Sequence, residues 1–259
     1  MKQHIPRRRF GQNFLVDQGI IRAIVEAIAP RPDDVLVEIG PGLGALTGPL
    51  LERMPHLHVI EIDRDIVTRL QKQYPPERLT IHAGDVLDFD FAKLPGRFRL
   101  IGNLPYNIST ELLFRLIPYA DRMIDAHFML QREVVDRMVA GPSTAEYGRL
   151  SVMLQYRFDM LKLIDVPPTS FRPAPKVDSA VVRMHPRDKE ATCLVDETLL
   201  SRVVTAAFTK RRKTLRNALA GVIAPERLQS LGIDPQLRPE NLGVADYLAI
   251  VGALDGKTG

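Results

Sequence analysis

Cysteine is almost missing from this 259-residue chain. With Cys193 alone, an intramolecular disulfide and a cysteine metal cage are both excluded, and a reducing compartment fits. Long apolar runs are missing as well. None reaches the roughly 18 to 20 residues that span a bilayer, and the opening MKQHIPRRRF has no apolar signal core, so a cytoplasmic chain with no membrane partner is expected. There is no Ser-His-Asp order, no H-E-x-x-H and no zinc spacing; the six histidines are scattered, and no metal is expected. A large excess of one charge is absent too, with 35 Lys and Arg against 31 Asp and Glu. The positive charges nevertheless cluster, as Arg7-Arg8-Arg9 near the start and as Lys210-Arg211-Arg212-Lys213 with Arg216 in the last quarter. An isolated run of this kind is most simply a solvated face. Two runs flanking one domain suggest phosphate contacts, which makes Arg7, Arg8, Lys210, Arg211, Arg212, Lys213 and Arg216 candidates for binding nucleic acid.

What is present is a chain with 45% apolar residues, enough for a substantial core. From 34 to about 130, short β-branched runs at 35–39, 58–62, 79–83, 99–101 and 126–130 alternate with helical patterns at 45–53, 64–73, 110–117 and 132–139. Asp63 and Ser109 stand where N-caps would be. Continuous apolar strands alternating with helices predict an α/β fold, a Rossmann-like parallel sheet with helices on both faces. A helix at 150–156 and strands at 161–166 and 179–184 complete it with an antiparallel finish, and the proline-rich PPTSFRPAPK between those strands is expected to lack regular structure. Beyond a polar turn at 185–190 the pattern is helical at 197–208, 213–220, 225–231 and 244–254. The reading is therefore a domain over 1–187 and a small all-helical C-terminal domain over 188–259.

Gly40-Pro41-Gly42-Leu43-Gly44-Ala45 follows the first strand and opens a helix, placing glycines where a backbone turns tightly beside a ligand. This satisfies the dinucleotide fingerprint, and Glu61 falls where an acid would bind a ribose diol, so a nicotinamide dehydrogenase is a rival reading. Glu38 argues against it. A carboxylate just before the turn disfavours a pyrophosphate but suits the cationic sulfonium of S-adenosylmethionine. Asp85, after Gly84, could accept from an adenine amine at the carboxyl edge of the sheet, or simply cap a turn.

After the fourth strand comes Asn103-Leu104-Pro105-Tyr106. The exocyclic amine of adenine is a poor nucleophile, because its lone pair is delocalised into the ring. Two acceptors that hold its hydrogens would free that pair, and the Asn103 side-chain oxygen and Leu104 carbonyl can be those acceptors. Pro105 keeps the turn extended, and Tyr106 offers a face on which a base can stack. The alternative is a turn in which Asn caps and Tyr packs. A base in a helix cannot enter such a pocket, so an unpaired or flipped base is expected, with Phe171 of the proline-rich loop closing over its other face or, alternatively, anchoring the loop.

Six segments, RFGQNFL at 9–15, 38–47, 103–110, FMLQREV at 128–134, YGRL at 147–150 and PAPKVDSAVV at 173–182, resemble the ribosomal RNA adenine dimethyltransferases over almost the whole chain. The resemblance implies a class I methyltransferase using S-adenosylmethionine. It places Asn13, Leu15, Gly40, Glu61, Asp85 and Asn103 on cofactor-contacting positions, with 1–33 as a lid; Gly42 joins them from the turn argument. FTKRRKTLRN at 208–217 and YGRLSVMLQ at 147–155 resemble the branch acting on the small ribosomal subunit or its precursor, which converts two adjacent adenines near the RNA 3′ end to dimethyladenines. The large-subunit, macrolide-resistance branch shares the catalytic motifs. A mainly non-catalytic ribosome assembly factor is a third reading. Nothing in the sequence demands a partner chain, and a monomer is expected.

Overall fold

The structure is a computed structural model and describes residues 13–188 and 195–256. Arg7, Arg8 and Cys193 lie outside the described residues. Nine strands occur among those described: β1 (Phe14–Leu15), β2 (Leu36–Ile39), β3 (Leu57–Glu61), β4 (Leu79–Ala83), β5 (Phe98–Asn103), β6 (Met123–Gln131), β7 (Phe158–Val166), β8 (Phe171–Arg172) and β9 (Ser179–Pro186). Ten α-helices accompany them: α1 (Gln18–Ile28), α2 (Thr47–Arg53), α3 (Arg64–Gln73), α4 (Ser109–Leu116), α5 (Arg132–Val139), α6 (Arg149–Gln155), α7 (Glu197–Thr209), α8 (Leu215–Ala218), α9 (Pro225–Ser230) and α10 (Val244–Leu254).

Seven strands form one sheet in the order β4-β3-β2-β5-β6-β9-β7. The pairs from β4 through β6 are parallel, and β9 runs antiparallel to β6. The expected α/β class is therefore borne out. The chain builds β2, β3 and β4 outward on one side, then returns to lay β5 and β6 on the other. That reversal opens a crevice past the carboxyl ends of β2 and β5, the place where open α/β sheets bind ligands.

The chain divides into two compact units, 1–135 with 160–186 and 136–159 with 187–259. The helical unit thus takes in 136–159, which the sequence reading assigned to the first domain. Its α7 buries Leu200, Val203, Val204 and Ala207, a stripe at helical spacing. Phe208 meets Tyr147 and Tyr247 at ring-centroid distances of 6.3 and 6.1 Å.

In the sheet unit, α1 goes beyond the sequence reading. Asp17 caps it, accepting from the Gly19 and Ile20 N–H groups at 2.8 and 3.2 Å, and Ile21, Ile24, Val25 and Ile28 form its buried stripe. Buried Arg99 of β5 then locks its far end: the guanidinium forks onto Asp125 of β6 at 2.8 and 2.7 Å, meets Asp34 at 2.7 Å, and donates to the Ile28 carbonyl at 2.6 Å. A planar cation is matched to two carboxylates and to the carbonyl end of a helix. Asp63 does cap α3, accepting from the Asp65 N–H. Ser109 does not cap α4. Ile108 stands at that position, and Ser109 Oγ instead donates to the Tyr106 carbonyl at 3.1 Å.

The proline-rich loop also departs from expectation. Phe171–Arg172, just before its third proline, pairs antiparallel with Phe14–Leu15, giving the registers Leu15↔Phe171 and Phe14↔Arg172. Ser170 adds its carbonyl to the Val16 N–H at 2.9 Å and its hydroxyl to Asp17 at 3.2 Å. The prolines only limit this pairing to two residues, because Phe171 and Arg172 keep their own N–H groups.

Candidate active site

A cavity of about 310 Å³ opens past the carboxyl ends of β2 to β5. Asn13, Gly40, Gly42, Glu61, Asp85 and the whole of Asn103 to Ile108 line it, so strand order brings together residues spread over some ninety positions. A second cavity of about 380 Å³ lies against the other side of the glycine turn, where Leu15 and Glu38 contribute; the two share Phe14, Gly40, Gly42 and Asn103. Gly40, Gly42 and Gly44 all have positive φ. At Gly42 a side chain would also meet the Phe14 ring at 3.2 Å, so the turn requires glycine for both conformation and space.

The walls are apolar, with Ile39, Ile60, Ile62, Ile66 and Val86, and the acidic side chains between them are the carboxylates Glu61 and Asp85. No described lysine or arginine lines the cavity. An acidic, cation-free wall is a poor host for a pyrophosphate, which weighs against the dinucleotide reading. Glu61 is buried and accepts from the Asp63 N–H at 2.7 Å; burial raises its pKa, against the lowering effect of the Asp63, Gly42 and Ile62 N–H groups. Glu38 is fully buried in the central strand, where desolvation raises its pKa to about 7, partly offset by a 2.6 Å bond from Thr47 Oγ1, while nearby Glu61 adds to the rise. Asp85 does cap a turn, accepting from the Leu87 N–H at 2.9 Å, and it lines the cavity as well.

At the acceptor end, Asn103 Nδ2 donates to the Asn13 carbonyl at 3.0 Å. A carbonyl partner can accept only from the amino side of the amide, so this bond turns Oδ1 the other way. The Leu104 N–H donates to the Met129 carbonyl at 3.1 Å while its side chain is buried, leaving its carbonyl as the polar group on offer. Tyr106 lines the cavity, and its hydroxyl meets Ser179 Oγ at 2.7 Å; burial raises the phenol pKa, and the Ser179 bond lowers it.

Phe171 requires a correction. It is 0% exposed and belongs to the core cluster with Leu15, Ile21 and Ile24, so it has no free face for a base. The backbone pairing of Leu15 with Phe171 draws that ring inward. The aromatic at the rim is Phe14, which the sequence reading passed over between Asn13 and Leu15. Ser179 was likewise unremarked as a site residue, since nothing in a strand sequence marks which tyrosine its hydroxyl will meet.

In the helical unit, Lys210, Arg212, Lys213 and Arg216 are exposed. Arg211 is employed by the fold. It reaches the Ala145 carbonyl at 2.8 Å and Glu240 at 3.2 Å, tying the 141–145 loop to the turn at Pro239–Asn241.

Residues 3–255 match the family model described as ribosomal RNA adenine dimethylase. The chain is 62% identical over 251 residues to the ribosomal RNA small subunit methyltransferase A of Thiobacillus denitrificans, covering 97% of this chain and 98% of that one. It is 60% identical over 258 residues to the protein of the same name from Aromatoleum aromaticum, covering 100% and 97%. Among solved structures, a dimethyladenosine transferase from Plasmodium falciparum superposes with a TM-score of 0.82 at 26% identity, covering 94% of this chain and 98% of that one. The 23S rRNA methyltransferase ErmE gives 0.72 at 25% identity, covering 94% and 100%. The crevice at the sheet reversal, its acidic wall and the segment from Asn103 to Tyr106 are thus met by a match along nearly the entire sequence: this chain belongs to the ribosomal RNA adenine dimethylase family.

Proposed function

We propose that the chain transfers methyl groups from S-adenosylmethionine to the exocyclic amine of two adjacent adenines in small-subunit ribosomal RNA, giving dimethyladenines during small-subunit biogenesis. The observation that carries this reading is the orientation of Asn103, fixed by the Asn13 carbonyl at 3.0 Å so that its oxygen is free for an amine hydrogen. The lining fits the cofactor: Glu61 stands ready for a ribose diol, Asp85 for an adenine amine, Gly40 and Gly42 for close backbone approach, and no described cation competes with a sulfonium. When bound, the cofactor supplies an electrophilic methyl, so no ionised nucleophile is required of the protein.

The protein's part is therefore positioning. Asn103 Oδ1 and the Leu104 carbonyl take the two amine hydrogens, which turns the nitrogen lone pair out of the ring and toward the methyl. Tyr106 stacks on the base, and Pro105 keeps the backbone between them extended. The amine proton leaves to solvent after each transfer, since both acceptors are neutral. Lys210, Arg212, Lys213 and Arg216 hold RNA phosphates from the helical unit, with Arg7 and Arg8 as further candidates. The enzyme acts as a monomer in the cytoplasm, where its RNA is. The small-subunit assignment is supported by the 62% and 60% identical relatives, against 25% for the 23S enzyme.

The test is methyl transfer from labelled S-adenosylmethionine to unmethylated small-subunit particles, naked small-subunit RNA and large-subunit RNA, with the product nucleoside identified. Dimethyladenosine in small-subunit RNA alone is the expected result. Transfer only to large-subunit RNA would overturn the assignment, and tight nicotinamide binding without S-adenosylmethionine binding would overturn the activity.

A further inference from the structure

Tyr106 is held at both ends. Its carbonyl accepts from Ser109 Oγ at 3.1 Å, and its phenol oxygen meets Ser179 Oγ at 2.7 Å. Ser179 is fully buried, is the first residue of β9, and pairs with Gln131 of β6. Apolar Ala180, Val181 and Val182 follow it. A buried hydroxyl is costly without a partner, and among the described residues its side-chain partner is Tyr106.

The proposed acceptor oxygen of Leu104 is referenced to the same ladder. Leu104 bonds the Met129 carbonyl of β6, and Met129 pairs with Val181, two residues along β9 from Ser179. A stacking ring sets the height and tilt of a base, while the acceptors set where its amine must arrive. Both are thereby read off one strand pair.

The geometry points to Ser179 as a positioning residue for methyl transfer: its hydroxyl fixes the Tyr106 ring so that a stacked base presents its amine to Asn103 and Leu104. This inference rests on the function proposed above. The second transfer to each adenine makes the sharper demand, because a monomethylated amine has one hydrogen left to direct it. A loosened ring slows that step more than the first.

The experiment compares wild type, Ser179→Ala, Tyr106→Phe and the double variant for kcat, KM for RNA, S-adenosylhomocysteine binding and the ratio of monomethyl- to dimethyladenosine. Each single change is expected to lower kcat about 3- to 10-fold, the ordinary net value of one hydrogen bond, and to raise the monomethyl share. S-adenosylhomocysteine binding stays within about twofold. The double variant is no worse than either single, because all three remove the same bond. Losses that multiply in the double variant, or a wild-type kcat and product ratio in Tyr106→Phe, overturn the inference. Tyr106→Phe decides the matter even where Ser179→Ala does not fold, since it deletes the bond and leaves Ser179 in place. A wild-type protein that methylates no adenine would sink the proposed function itself, a separate outcome.

Discussion

The two ends of the 310 Å³ cavity are organised differently. At the cofactor end the polar groups are set by near neighbours in sequence, Glu61 by the Asp63 N–H and Asp85 by the Leu87 N–H; Glu38, on the adjoining cavity, is held likewise by Thr47 nine residues on. At the acceptor end they are set from far away, Asn103 by Asn13 across 90 residues and Tyr106 by Ser179 across 73. A strand followed by its turn can build the first kind of site alone. The second exists only once the whole sheet has closed, so it is the more exposed to distant perturbation.

The strongest way to break this contrast is Asn103→Ala, expected to lower methyl transfer by at least about 100-fold, the scale of losing one preorganised polar group, while cofactor affinity falls less than it does in Glu61→Ala. Titration calorimetry beside a transfer assay reads both; equal loss of the two in a folded protein would merge the ends. Glu61→Ala is the mirror case, weakening S-adenosylmethionine binding about 10- to 100-fold through loss of charged hydrogen bonds. Asp85→Asn should weaken it by about 3- to 10-fold in the same titration, one hydrogen bond's worth.

Glu38 sharpens the comparison through pH. Its pKa is raised from 4.5 to about 7 on folding, so the folded chain binds the proton more tightly than the unfolded one. Stability therefore falls as pH rises from 4.5 toward 7, and the penalty is complete above that. Glu38→Gln keeps an acceptor for Thr47 and removes the titration. It should gain on the order of 1–3 kcal/mol over wild type at pH 8 and little at pH 4.5, measured by denaturant unfolding without cofactor. An equal gain at both pH values would show that the carboxylate is not the source.

The same contrast explains what could be read in advance. Glycines before a helix, an acid closing a strand and a carboxylate capping the next turn are short-range patterns, and they place Gly40, Glu61 and Asp85 on the cavity as the sequence suggests. The Asn103 to Tyr106 turn was legible in its chemistry but not in its supports, because no local pattern encodes which carbonyl or hydroxyl a folded sheet will bring alongside. Phe171 shows the failure plainly: a phenylalanine among prolines suggests an exposed rim, whereas pairing with Leu15 buries it. The helix at Gln18–Ile28 is a different case, since Asp17 and the spacing of Ile21, Ile24, Val25 and Ile28 announce it. Arg211 adds that a cation within a basic run can also serve the fold, here a loop and Glu240.

The ladder joining Leu15 to Phe171 also orders events in time. Asp17 and Ser170, which flank it, are 153 residues apart, so during synthesis this ladder cannot form until the stretch around residue 171 has left the exit tunnel. A nascent chain can form its glycine turn long before then, yet the two-residue strand that follows Asn13 is paired only afterwards. The reactive end of an enzyme whose substrate belongs to the machine translating it is thus completed later than its glycine turn.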